Sequence, residues 1–113
     1  MNAKVVELNL EAGMPAAETA VRKMTNALAT YKGQGVKAVV IVHGYGSTGV
    51  GGGIRTAVRK TLAENTLRGI VRAQAGGEAW PARKKELLAL CGSLKDWDRR
   101  ISGNEGVTVV ILR

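Results

Sequence analysis

The chain has 113 residues, room for one hydrophobic core and not two. Its apolar fraction of 45% is ordinary for a globular domain, and with no Phe the core must be aliphatic. A net charge of +8 and a pI of about 10.2 speak of partners rather than fold. Nucleic acid is the commonest polyanion such a surface meets, with an acidic membrane surface or an acidic protein as the alternatives.

Lys4-Val5-Val6-Glu7-Leu8-Asn9-Leu10 reads as a first strand, with Leu8 and Leu10 on one face and Glu7 and Asn9 on the other. Gly13 breaks it, and Pro15 stands where a first helical residue would be, its missing N–H costing nothing there. Ala17, Ala20, Val21, Met24, Ala27, Leu28 and Tyr31 follow the three-and-four spacing of a helix face, and Gly33 and Gly35 end that helix. Ala38 to Val42 is a continuous apolar run, the mark of a central strand covered on both faces. It ends at His43, the single histidine.

From Gly44 to Gly53 the chain is a loop with glycine at six of ten positions. Ile54, Ala57, Val58, Thr61 and Leu62 then form the apolar face of a second helix, flanked by Arg55 and Arg59. Gly69 opens a third strand, Ile70 to Ala75, which Gly76-Gly77 stops. Trp80-Pro81 reads as a break and Ala82 to Cys91 as a helix, with Leu87, Leu88 and Cys91 as its face. Cys91 has no disulfide partner and reads as a small buried apolar residue. Ser93, with Asp96 three residues on, is an N-cap candidate for a short piece presenting Leu94, Trp97 and Ile101. Val107 to Leu112 is a final internal strand whose direction the sequence leaves open.

The order β-α-β-α-β-(αα)-β predicts an α/β sandwich, with a mixed four-stranded sheet and helices. Each strand-helix-strand unit is expected to give parallel neighbours with right-handed crossovers. No linker splits the chain, so residues 1–113 form one domain. The block around residues 78–102 is expected to be a helical cover for one sheet face, in preference to a lid or a dimer surface. With no apolar h-region or basic n-region at the start, no secretory signal is expected, and no apolar run exceeds six residues. A cytoplasmic protein without membrane contact is the expectation, and the oligomeric state is left open.

The glycine loop is the part with chemical potential. A strand that runs through glycines into a helix N-terminus makes an anion site, because backbone N–H groups are free there and can come close to a ligand. Gly44-Tyr45-Gly46-Ser47-Thr48-Gly49 matches G-x-G-x-x-G, but three more glycines separate it from the helix. The acidic residue expected about twenty positions on would be Glu64, at the end of a helix instead of a strand, so a dinucleotide site is a poor fit. A Walker-type loop is excluded because no Lys-Ser/Thr pair directly follows the glycines. One His and one Cys exclude a zinc centre. Asp96 and Asp98 are expected to pair with Lys95, Arg99 and Arg100. His43 can be a satisfied strand-end residue or a proton shuttle for a phosphodiester. Gly44, Tyr45, Gly46, Ser47, Thr48, Gly49, Gly51, Gly52, Gly53 and Arg55 are the candidates for holding a phosphate. Arg59 is a further candidate, though a solvated helix edge is its simpler role.

His43-Gly44-Tyr45-Gly46, the glycines after it, and Ile54-Arg55 ahead of a helix resemble the H-G-x-G … G-x-[LI]-R core of the Smr (small MutS-related) domain. Gly103-Asn104-Glu105-Gly106-Val107-Thr108-Val109-Val110 resembles that family's G-G-x-G-x-T-x-V close. The resemblance covers Val5 to Leu112, with residues 78–102 as an insertion. It implies a fold like the C-terminal domain of translation initiation factor three, nucleic-acid binding and, as in many members, endonuclease activity on DNA or RNA. It maps the motif onto His43, Gly44 and Gly46 and the basic position onto Arg55.

Two departures bear on cleavage. Where the family has L-D-L-H-G on its first strand, this chain has Leu8-Asn9-Leu10-Glu11-Ala12-Gly13. Asn9 takes the acidic position and Glu11 the histidine position, so Glu11 is the carboxylate that could stand in for it. The loop is also about three residues longer, through Gly51 to Gly53. Three readings stay open: an Smr-like domain that nicks DNA or cleaves RNA through His43 and Glu11, a non-catalytic RNA-, DNA- or ribosome-binding module, and a binder of a small phosphate ligand. No motif demands a cofactor, and a divalent metal stays open.

Overall fold

A computed structural model describes residues 4–13, 15–44 and 52–113. The elements are β1 (Lys4–Asn9), α1 (Ala17–Gly33), β2 (Val36–Val42), α2 (Gly52–Ala63), β3 (Val71–Gly76), α3 (Trp80–Leu90), α4 (Asp98–Ile101) and β4 (Val107–Leu112). Two 3-10 segments, Asn65–Leu67 and Gly92–Trp97, join α2 to β3 and α3 to α4.

The strands form a mixed sheet in the order β1-β2-β4-β3. β1 and β2 are parallel, as a strand-helix-strand unit requires. β4 is antiparallel to both β2 and β3 and lies between them. The expectation that β2 and β3 would be neighbours is therefore corrected. The reason is polarity. All six residues of β4 are buried, so it needs partners on both edges and cover on both faces. β3 carries Arg72 and Gln74, and β1 carries Lys4, Glu7 and Asn9, which suits both strands to an edge.

Helices cover both faces. Leu8, Val39, Ile41, Val110 and Leu112 pack against Ala20, Met24 and Leu28 of α1 and Val58 and Leu62 of α2. Ala38, Val40, Val109 and Ile111 pack against Trp80, Leu87, Cys91, Leu94 and Ile101. The segment from Trp80 to Ile101 is thus the cover of the second sheet face. Cys91 is buried within it, as expected.

Several local expectations change. Trp80-Pro81 opens α3 instead of breaking the chain, since proline in a first helical turn has no N–H to lose. Trp80 is wholly buried and its indole N–H donates to Asp98 Oδ1 at 2.8 Å. Asp98 also takes Lys84 at 3.0 Å, in place of the expected Lys95, Arg99 or Arg100. Ser93 caps nothing: the 3-10 segment starts from an extended Cys91 with no side-chain cap. Pro15 precedes α1 by two residues. The third strand is Val71–Gly76, one residue later than expected at each end. No helix among the described residues is long and apolar enough to cross a membrane.

Candidate functional site

The parallel pair β1–β2 ends at Asn9 and Val42, and the antiparallel β4 begins beside it at Val107. The chain segments at this sheet edge are stitched by backbone bonds. His43 N and Gly44 N both donate to Gly106 O, at 3.0 and 3.1 Å, and Leu10 N donates to Val42 O at 2.8 Å. Gly44 has φ +78, a conformation that side-chain-bearing residues rarely adopt. Its Cα faces Gly106, where a Cβ would come within 3.5 Å of it. Two glycines thus let the β2 exit and the β4 entry meet along a tight seam.

The turn at Gly44 also decides what His43 does. Its carbonyl curls back to lie 2.8 Å from His43 Nδ1. A carbonyl only accepts, so Nδ1 carries the proton and Nε2 is the acceptor. Nε2 lies 2.7 Å from Thr108 Oγ1, which must donate to it. Thr108 Oγ1 in turn accepts from Arg59 Nε at 3.4 Å. Arg59 clamps Glu78 with two bonds, of 2.5 and 2.7 Å, and reaches Glu105 O at 3.5 Å. The result is a polar relay, Glu78–Arg59–Thr108–His43–Gly44, crossing from α2 over β4 to β2. His43 is buried, and desolvation pushes its pKa below 6.5 against the pull of the Gly44 carbonyl. Nearby Arg59 and Arg55 lower it further. The imidazole is therefore neutral at pH 7, with both ring nitrogens engaged inside the protein. Arg59 holds the Glu78 carboxyl below its ordinary value.

The opposite side of the seam is open. A cleft of about 180 Å³ is lined by Glu11, Val42, Gly44, Arg100, Asn104, Gly106 and Val107. A Cβ on Gly44 would run into the Glu11 carboxylate, so that group lies directly over the glycine. Asn9 faces neither the relay nor the cleft: its Oδ1 accepts from Glu11 N and Ala12 N at 2.9 Å each, an Asx turn that shapes the exit of β1. Arg100 is ion-paired with Glu7 of β1. Asn104 Oδ1 accepts from Gly106 N at 2.9 Å and holds the turn entering β4.

The proposed site residues therefore divide. His43 and Gly44 sit at the sheet edge, as the sequence indicated, with Glu11 beside Gly44. The cleft that holds Glu11 does not include His43 in its lining. Arg55 approaches Glu105 at 3.9 Å. Arg59 is not a solvated edge residue; it is a structural tie with a side chain 27% exposed. Gly52 and Gly53 belong to the first turn of α2 rather than to a loop, and a Cβ on Gly53 would stand 3.2 Å from Ala17 Cβ of α1. Tyr45, Gly46, Ser47, Thr48, Gly49 and Gly51 lie outside the described residues. Among the described residues no cluster of three His, Cys, Asp or Glu could hold a metal.

Thr108, Glu78 and Gly76 were given no place in the site from sequence. Thr108 had a visible signal, being the single polar residue in an otherwise apolar strand, which must find a partner once buried. Glu78 and Gly76 had none. A Cβ on Gly76 would stand 2.5 Å from Arg59 Nη2 and 2.6 Å from Glu78 Oε1, so glycine there makes room for the ion pair.

Comparison with solved structures places the arrangement in a class. The Smr domain of Thermus thermophilus MutS2 matches with a TM-score of 0.56 and 26% identity, over 98% of this chain and 99% of that one. The Smr resemblance carried by the motifs thus extends to the whole fold. No protein-family model and no curated protein matches the chain.

Proposed function

We propose that this chain is an Smr-like nucleic-acid-binding domain, one unit from residue 1 to 113, that holds a phosphate backbone at the edge formed by Gly44, the glycine loop and the start of α2. The observation carrying this reading is the whole-chain likeness to an Smr domain, combined with an H-G-x-G motif that begins at the carboxyl end of β2. Free N–H groups in the first turn of α2 and the Arg55 guanidinium supply the attraction. His43 acts by shape. Locked between Gly44 and Thr108, it fixes the direction in which the loop leaves β2.

Binding should be strongly salt-dependent, since every phosphate neutralised releases counterions. Fluorescence anisotropy with labelled DNA and RNA across salt tests this. An affinity that is flat in salt, or undetectable, defeats the reading.

A second reading, phosphodiester cleavage, is favoured by one feature. The Glu11 carboxylate is exposed, has no partner among the described residues, and lies over Gly44 at the motif. It has the right place to accept a proton from an attacking hydroxyl or water. Incubating wild type, Glu11→Gln and His43→Ala with supercoiled plasmid and structured RNA, with and without Mg²⁺, separates the readings. Cleavage lost in Glu11→Gln supports catalysis; no cleavage by wild type leaves binding alone.

A further inference from the structure

The net charge of +8 is only partly at the edge just described, where Lys23 donates to Asn9 O at 3.3 Å. There the arginines are answered by acids: Arg55 by Glu105, Arg59 by Glu78, Arg100 by Glu7. The other end of the same sheet differs. The register pairs Lys4 with Val36 and Val71 with Leu112, so β1, β2 and β3 start, and β4 ends, along one line. Lys4 and Lys37 stand at the starts of β1 and β2, Arg72 at the start of β3, and Arg113 directly after β4. Lys32 closes α1, and Arg68 precedes β3, with its carbonyl accepting from Arg113 Nε. All six are exposed. Lys4, Lys32, Lys37 and Arg72 form no ion pair among the described residues. Glu64 follows α2 at this end, and Glu86 on α3 is paired with Arg83, which reaches Gln74 O of β3.

We propose that this edge, opposite the H-G-x-G loop, is a second nucleic-acid-binding surface. Four strands spaced about 4.8 Å apart spread the cations over roughly 15 Å, long enough to follow several phosphates of one backbone. Lys4, Lys32, Lys37 and Arg72, exposed and without ion pairs among the described residues, suit contacts that ignore base sequence. The carboxylate-paired arginines at the other edge must first surrender their partners. The surface therefore adds to the attraction supplied at the glycine edge, which also provides local fit. The class of partner rests on the function proposed above; the location rests on the charge distribution alone.

The test compares two variants of the full chain by anisotropy on a labelled duplex over a salt series. One carries Lys4→Ala, Lys37→Ala and Arg72→Ala together, all at exposed positions; the other is Arg55→Ala. Melting curves confirm that both fold. The triple variant is expected to lower the salt slope by about 2.7, roughly 0.9 for each phosphate contact removed. A variant with Lys4→Arg and Lys37→Arg should keep wild-type binding. A triple variant with wild-type affinity and slope overturns the second surface; if Arg55→Ala then abolishes binding, the glycine edge stands alone. Loss in the triple variant with Arg55→Ala unaffected supports the second surface and counts against the glycine edge. Wild-type chain that binds vesicles of anionic lipid but not nucleic acid overturns the proposal in favour of a membrane surface.

Discussion

On one side of the Gly44–Gly106 seam the polar side chains are chained together from Glu78 to His43; on the other, the Glu11 carboxylate lines the cleft with no side-chain partner among the described residues. Both sides use the same two glycines. The sealed side uses the close approach to bury an imidazole, and the open side uses it to bring a carboxylate over the backbone. A residue that is buried and fully bonded acts through the geometry it imposes. A residue that is exposed and unbonded is available to a ligand. Sequence offered His43 as the general acid or base and Glu11 as the carboxylate at the family's first-strand histidine position; of the two, His43 has both ring nitrogens bonded and Glu11 makes no side-chain bond among the described residues.

The comparison depends on the seam, so the largest effects come from what holds the seam in place. Gly77 N donates to Val107 O at 2.8 Å, and Gly77 O accepts from Gly103 N at 2.9 Å. A Cβ there would overlap the Asn104 carbonyl oxygen and stand 2.6 Å from that of Ile101. Backbone cannot yield as a side-chain tip does. Gly77→Ala should destabilise the domain by about 3 kcal/mol, the upper range for overpacking a close-packed site. Urea unfolding measures it, and a loss below about 1 kcal/mol would mean that the 101–104 turn moves freely.

Thr108→Val comes next. It keeps the shape but leaves His43 Nε2 without a donor inside the core. The expected loss is about 1–3 kcal/mol, the cost of an orphaned buried acceptor, with Thr108→Ser close to wild type. If valine and serine behave alike, the relay contributes nothing and the sealed side is only apolar packing.

The same relay gives a pH signature. Burial lowers the folded-state pKa of His43, so below about 6.5 the unfolded chain takes up a proton that the folded one resists. Stability should be constant with pH just above that value and fall as pH drops through it, by at most about 1.4 kcal/mol per unit, until the folded state also protonates. His43→Ala should remove this dependence. Glu78 acts in a lower window: its pKa is depressed by Arg59, so its contribution is present above about 4.5 and lost in more acid solution. Because the Glu78 side chain is 40% exposed, Glu78→Gln should cost about 0.5–1 kcal/mol, as for a screened surface pair. A titration showing a single step near 4.5 would mean that His43 is better solvated than its place beneath Gly44 implies.

Much of this was legible in the residues. The all-apolar β4 and the mixed β1 and β3 specify centre and edge, and periodicity alone marks α1 and α2. What the residues could not show is pairing across distance. β4 enters between β2 and β3 because both its edges must be satisfied, a demand that only the assembled sheet expresses. Arg59 looks like a surface arginine because its helix face is half polar. Its partner Glu78 lies nineteen residues on, across β3, and nothing local connects them. Gly76 and Gly77 read as a strand stop; Gly76 is in fact the last residue of β3, and the use of both glycines as gaps, for an ion pair and a turn, is a property of neighbours. The H-G-x-G motif begins at His43 and Gly44, directly after β2. It could not say which side of the seam is open.

The smallest effect on stability carries the most weight for function. Glu11 is exposed and makes no side-chain bond among the described residues, so Glu11→Gln should change unfolding free energy by no more than about 0.5 kcal/mol. The substitution keeps shape and removes only the charge and the basic oxygen. Removing a negative charge beside a bound backbone should leave binding unchanged or slightly tighter, with no loss of salt slope. Cleavage, if wild type shows it, should fall by about a hundredfold or more, the usual contribution of a positioned general base. His43→Ala gives the contrasting pattern: it should lower stability and binding together, because the loop loses its anchor. If instead His43→Ala folds normally, binds normally and fails only to cleave, then the imidazole must leave Thr108 during the reaction. The sealed side of the seam would then be the one that opens on nucleic acid.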